Sequence, residues 1–174
     1  MSRFDATVAD CHIFTFKDGL LSAVAHDLKL RVSRFEVLVQ PEPVTVSARF
    51  EVASLEVVCA VKEGHDDVNT LSSRDHDKIR QTMLEEVLES RRFPEVLFRS
   101  TRVEPRGAGY EVQGQLKLKG VERAITGHVK PELEGWLVEV SLHQPDFGIK
   151  PYSAMLGTLK VKPELRVRLR TRAR

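Results

Sequence analysis

Residues 110–119 alternate without a fault, and this one stretch restricts the fold more than any other. Val112, Gly114, Leu116 and Leu118 share one parity; Glu111, Gln113, Gln115, Lys117 and Lys119 share the other. Successive side chains of a strand point to opposite faces, so the pattern describes a sheet with one face on a core and one in water. Such sheets are antiparallel, because parallel sheets are covered on both faces. The preceding run, 96–104, is rich in β-branched and aromatic residues. Pro105-Arg106-Gly107-Ala108-Gly109 breaks it with two glycines free to take positive φ, which makes a hairpin. Gly120 then turns the chain into residues 124–130.

The rest reads as more of the same sheet with one helix. Residues 10–17 and 20–27 form a hairpin around Asp18-Gly19. Residues 28–39 continue as strand, but the apolar phase changes from Leu28, Leu30 and Val32 to Phe35, Val37 and Val39. A bulge or bend at Ser33-Arg34 restores the inward face. After Pro41-Glu42-Pro43, residues 44–52 alternate regularly, and 55–58 add a shorter strand. Residues 62–77 have no period and read as a loop. Residues 77–90 follow as a helix, with Ile79, Met83, Leu84, Val87 and Leu88 on one side and Asp75 or Asp77 as its cap. Phe93-Pro94 ends it. A lone amphipathic helix beside a sheet covers one end of a barrel. Residues 136–143 are another strand, 145–156 are irregular, and a last strand runs from Leu159, with Pro163 marking an edge or a bulge.

At 174 residues, with 41% hydrophobic and 30% charged residues, the chain fits a single domain spanning 1–174. Residues 1–19 contain no long apolar run, which predicts a cytoplasmic protein; a mature chain whose leader had been removed would be periplasmic. Cys11 and Cys59 are too few for a disulfide framework and lie in no CxxC, so each is expected to be a buried thiol.

Several short motifs also carry a resemblance. Phe93-Pro94, then Phe98-x-Ser100-Thr101-x-Val103, then Gly114-x-Leu116-x-Leu118-x-Gly120-Val121 and finally Asp146-Phe147-Gly148 resemble the YceI-like family in order and spacing across nearly the whole chain. The resemblance implies an all-β, lipocalin-like antiparallel barrel of about eight strands. It also implies binding of isoprenoid, quinone or other amphiphilic lipid chains. A barrel of about eight strands is just wide enough for one slender ligand. The inward candidates for its lumen are Phe14, Phe16, Val24, Leu116, Leu118, Trp136, Val138, Phe147, Leu159 and Val161. His26, interrupting a strand beside Asp27, is the candidate partner for a head group. Gly114 is the candidate for plugging, since Gly114→Phe is expected to fill the lumen and leave the fold intact. A barrel packed with its own side chains gives the same alternation, and then the protein is a stress-linked interaction module using an apolar patch or a homodimer surface.

Other chemistry finds little support. The cluster Glu63, His65, Asp66, Asp67 with Asp75, His76 and Asp77 has metal-ligand residue types without compact spacing, so no metal is expected. There is no nucleophile elbow, Walker loop or dinucleotide fingerprint, and no cofactor is implied. An enzyme acting on a lipid-like substrate would have to use His26-Asp27 or the Asp/His loop, and the sequence makes no positive case for it. Lys160, Lys162, Arg166, Arg168, Arg170, Arg172 and Arg174 read as a solvated outer strand face. With 6% aromatics they make no nucleic-acid surface, and membrane contact would be peripheral at most.

Overall fold

The structure, a computed structural model, describes residues 1–18, 26–154, 156 and 159–172. The predicted hairpin at Asp18-Gly19 therefore lies largely outside the described residues. The strands are β1 (Ser2–Asp5), β2 (Ala9–Lys17), β3 (Asp27–Val32), β4 (Phe35–Pro41), β5 (Val44–Glu51), β6 (Leu55–Lys62) and β7 (His65–Asp67). Helix α1 (Ser73–Thr82) comes next. It is followed by β8 (Glu95–Arg106), β9 (Gly109–Leu118), β10 (Val121–Glu132), β11 (Gly135–His143), β12 (Ser153–Ala154) and β13 (Leu159–Thr171). All pair antiparallel in the order β1-β4-β5-β8-β9-β10-β11-β13-β2-β3-β6-β7, with β12 on β13. The sheet curls into a half-barrel, apolar face inward. Among the described residues it has 13 strands, more than the roughly eight expected; β1, β7 and β12 are short additions, and one predicted strand is divided.

That division is the bend at Ser33-Arg34. β3 pairs with β2 and β6, whereas β4 pairs with β1 and β5, so the chain crosses here from one side of the sheet to the other. Buried Ser54 ties the corner. Its Oγ accepts from the Arg34 N–H at 3.0 Å and donates to the Glu51 carbonyl at 2.8 Å, while its own carbonyl accepts from the Ser33 N–H at 3.2 Å. A crossing between two edges, rather than a kink within one strand, is what changes the apolar phase.

The central hairpin is tighter than its composition suggests. The ladder runs on through Pro105 to the Arg106–Gly109 pair, leaving Gly107-Ala108 at the tip. Gly107 takes φ 58°, but Gly109 does not use positive φ. A Cβ on Gly109 would sit 1.9 Å from the Val129 carbonyl oxygen, so this glycine permits the close approach of β10. A bulge at Thr101 shifts β8 by one residue, so that Phe98 and Val103 both reach the inside. In β13 the register shifts between Val161 and Leu165, around Pro163.

The helix begins four residues before the predicted start. Ser72, not Asp75 or Asp77, is the cap: its Oγ accepts from the Asp75 N–H at 3.2 Å, and the Asp75 carboxylate accepts from the Ser72 N–H at 2.8 Å. This is a reciprocal capping box with Asp75 at its third position. The supposed loop 62–77 thus contains both β7 and the first turn of α1. After Thr82 the backbone widens into one π-helical turn, Met83–Val87. Arg80 donates to the carbonyls of Leu55 (3.0 Å) and Ala53 (2.8 Å), and Glu89 pairs with Lys119 at 2.9 Å beyond β9. The helical segment is held at both ends, by β6 at one and by the turn after β9 at the other.

Its apolar side makes two packed regions. Leu84 joins Leu30, Val32, Phe35, Val52 and Leu55; Val87 and Leu88 pack on Leu116, Leu118, Phe147 and Ile149. Outside, Arg168 and Arg170 of β13 and Arg172 just past its end are paired across strands: Arg168 with Glu139 at 3.0 Å, Arg170 with Glu132 at 2.7 Å, Arg172 with Asp10 at 2.5 Å. Burial opposes ionisation of Glu139, but hydrogen bonds from Lys130 and Arg168 outweigh it and hold its carboxyl below the usual range.

Candidate functional site

Bordered by parts of both packed regions, the inner face of the sheet encloses a cavity of about 1080 Å³. It is at the upper limit of ordinary small-molecule sites, which run to roughly 1,000 Å³. Its wall is the inward parity of the strands: Val46 and Ala48 from β5, Val112 and Leu116 from β9, Val129 from β10, Val167 and Leu169 from β13. Alternation explains why so much of the wall is aliphatic, since each strand contributes every second side chain.

Of the sequence-derived lumen candidates, Leu116, Leu118, Trp136, Val138, Leu159, Val161 and His26 lie along this cavity. Val24 lies outside the described residues. Phe14 and Phe16 take the other parity. The inward residues of β2 are Cys11, Ile13 and Thr15, and the Phe14 ring lies on the outer face beneath the Arg168 guanidinium, 5.2 Å from its centroid. Two aromatics on one parity had outweighed the register, which β13 and β3 impose from both sides. Phe147 is buried at 2% exposure, behind the wall against Leu116, Leu118 and Ile149, and it does not line the cavity.

Gly114 is not an open notch. The Phe98 ring covers it, and an added Cβ would lie 2.5 Å from that ring and 2.4 Å from the Arg99 carbonyl oxygen. The expected plugging variant at this position therefore collides with the backbone before it reaches the lumen. Ala48, on the wall with a small side chain, is the better place to insert bulk.

Several polar groups of the lining are engaged in local bonds. Glu51 pairs with Arg34 at 2.5 Å, and the buried Gln144 side chain donates to the Lys162 carbonyl at 3.0 Å. Asp75 accepts from both the N–H and the hydroxyl of Ser72, and that hydroxyl in particular lowers its pKa. His26 lines the cavity, while its neighbour Asp27 turns away to accept the Lys17 N–H at 2.8 Å, a structural tie between β2 and β3. Cys11 also lines the cavity; burial pushes its thiol up to about 12, so it is an inert neutral group there. Cys59 is buried too, and burial raises its pKa.

Tyr110, Thr171 and Lys78 also line the cavity and were missed by sequence reasoning, whereas Val44 lines it as the inward start of the regular 44–52 alternation. Tyr110 is in phase with Val112 and Gly114, so strict extension of the alternation would have found it. Lys78 had no such signal, because its position depends on how α1 lies across the barrel. In the Asp/His stretch, Asp66 binds Lys29 at 2.8 Å, Asp67 accepts from Thr70 at 2.6 Å, and Asp75 belongs to the helix cap. Among the described residues no three His, Cys, Asp or Glu side chains are grouped to hold a metal ion.

Comparison with solved structures places this architecture among known ones. The chain superposes on BcnA of Burkholderia cenocepacia with a TM-score of 0.62 at 16% identity, over 98% of this chain and 99% of that one. A polyisoprenoid binding domain from Saccharophagus degradans gives 0.55 at 10% identity, over 94% of each chain. The YCEI protein of Campylobacter jejuni gives 0.55 at 10% identity, over 83% of this chain and 82% of that one. No curated protein matches in sequence. At these identities the superpositions speak for the fold. The family model for the YceI-like domain, however, matches residues 12–173, from within β2 through β13, and the chain belongs to the YceI-like family.

Proposed function

We infer that the protein binds or carries a long apolar chain, of an isoprenoid, quinone or similar amphiphile, without catalysing its conversion. The observation that carries this reading is the aliphatic cavity of about 1080 Å³ on the inner face of the sheet. Each CH₂ buried there contributes roughly 0.8 kcal/mol, so a few isoprene units reach micromolar affinity after the costs of ordering. The S. degradans relative, described as polyisoprenoid-binding, supports the same ligand class. A cavity of that size counts against the packed-lumen interaction module. The enzyme reading loses support from the carboxylates it would use, since Asp66, Asp67 and Asp75 are engaged in local ties.

The test is native mass spectrometry of protein purified from its own host without detergent, followed by organic extraction. A stoichiometric long-chain lipid adduct is expected. Protein that is bare and also fails to take up lipid on titration would overturn the reading. Ala48→Phe sharpens it: the variant should fold and lose most of its lipid affinity, because the new ring occupies the cavity.

A further inference from the structure

Three turns of the sheet carry apolar side chains that the fold leaves in solvent. Val44 follows the β4–β5 turn, Tyr110 follows the β8–β9 turn, and Leu133 and Trp136 belong to the β10–β11 turn. Val44, Tyr110 and Trp136 remain 49%, 42% and 37% exposed, and Leu133 is fully exposed. β4, β5, β8, β9, β10 and β11 are successive antiparallel neighbours, so the three turns lie at one end of this stretch of sheet. The pairs Pro105–Tyr110, Tyr110–Val129 and Pro131–Trp136 lead from one turn to the next, and the Tyr110 and Trp136 rings lie 5.8 Å apart. Val44, Tyr110 and Trp136 also line the cavity, so they form a rim at one of its mouths; Leu133 stands outside the lining.

The charges around this rim differ from those of the arginine-rich face. Cationic side chains beside the turns are taken up by carboxylates. Arg102 pairs with Glu104 at 2.6 Å, Arg106 with Glu111 at 3.6 Å, Lys130 with Glu139 at 3.2 Å and Arg170 with Glu132 at 2.7 Å. Glu42 and Glu134, exposed at two of the three turns, have no hydrogen bond or ion pair among the described residues. The rim thus presents apolar side chains edged by two unpaired carboxylates, with no cation left over for a phosphate.

A second protein fits this surface poorly. Stable interfaces bury roughly 1,200–2,000 Å² over a continuous patch, whereas here separate side chains stand around an opening. A fluid bilayer receives separate tips without a complementary plane, and Trp and Tyr, with an apolar body and a polar tip, suit its interface.

We propose that the rim is a docking surface for a zwitterionic lipid bilayer. Leu133, Trp136, Tyr110 and Val44 enter the head-group region, and Glu42 and Glu134 face the ammonium groups of the lipid heads. Docking is separable from filling of the cavity, because Leu133 and both carboxylates lie outside its lining. A formal charge of +2 and the basic outer face would favour anionic lipid; the rim favours the opposite.

Flotation of the full chain with vesicles tests this. Vesicles of phosphatidylethanolamine and phosphatidylcholine should carry the protein equally at low and high salt, because apolar insertion is not screened. Replacing part of that lipid by phosphatidylglycerol should weaken binding at low salt. Leu133→Asp should lower vesicle affinity about tenfold and Leu133→Phe should keep it, with folding checked by circular dichroism. Vesicles with brominated acyl chains should quench Trp136, the only tryptophan in the sequence, and Leu133→Asp should abolish that quenching. Immobilisation of nitroxide-labelled stearic acid reports the cavity separately and should be the same in wild type and Leu133→Asp. Binding that needs phosphatidylglycerol and disappears in high salt would assign membrane contact to the arginine face and overturn the proposal. Failure to float with either vesicle, or self-association without vesicles that Leu133→Asp abolishes, overturns it as well. So does a Leu133→Asp protein that floats like the wild type, or one that loses nitroxide immobilisation together with flotation.

Discussion

Two stretches of the same inner face, built from the same residue types, have different fates. Around the Ser33-Arg34 corner, Leu30, Val32, Phe35, Val52 and Leu55 are buried in a cluster with Leu84 of the helical segment, even though all but Phe35 also border the cavity. Along β5, β8 and β10, Val46, Val103 and Val129 also point inward, yet they are only half-buried and border open cavity. Alternation tells which way a side chain points. What stands opposite decides whether it is core or wall, and here that is settled by where one helix lies.

The largest expected effect breaks the wall outright. Gly114→Phe forces a side chain against the Arg99 carbonyl and the Phe98 ring, so it should yield no folded protein by circular dichroism. Recovery of a well-folded Gly114→Phe protein would show that β8 and β9 are more loosely apposed than described. Next, Leu84→Ala removes the plug from the packed stretch. Urea titration should find a loss of about 3 kcal/mol, the usual cost of emptying a closed core site. Val129→Ala makes a similar deletion on the cavity wall. There it should cost about 1 kcal/mol or less, since the methyl groups already face open space on one side. Equal losses at Leu84 and Val129 would erase the distinction between core and wall.

The smallest effect concerns the outer face. The Arg172 hydrogen bond holds Asp10 below the usual carboxylate range. A depressed folded pKa stabilises above the unfolded value of about 4 and loses that contribution as pH falls through the lower folded value. Melting temperatures of the wild type and Arg172→Ala should therefore differ slightly at neutral pH and converge below pH ~4. A gap that persists in acid would assign the effect of Arg172 to packing.

The barrel-like sheet, its central hairpin and its inward residues on β9 were legible because they are local, period-two facts. Even the Ser33-Arg34 crossing left a trace as a phase change. What could not be read depended on partners distant in sequence. β2 offered two apolar parities, and only pairing with β13 and β3 puts Ile13 rather than Phe14 inside. Gly114 looked like space, but Phe98 from the neighbouring strand occupies it. The helix start was within reach, since Ser72 and Asp75 carry the spacing of a capping box. Lys78 was not, because a helical period does not say where along a barrel the helix will rest.

The pairing of β13 between β11 and β2 has a consequence for how the molecule is made. Asp10 and Arg172 are separated by 162 positions and still bond, so the wall joins the first long strand to the last. Contacts of such high sequence separation pay their loop-closure entropy before any reward, and they slow folding. During synthesis, β2 and β11 must wait as open edges until residues 159–171 emerge. Unpaired edges are templates for other chains, so a nascent or truncated chain lacking β13 is the form most exposed to aggregation.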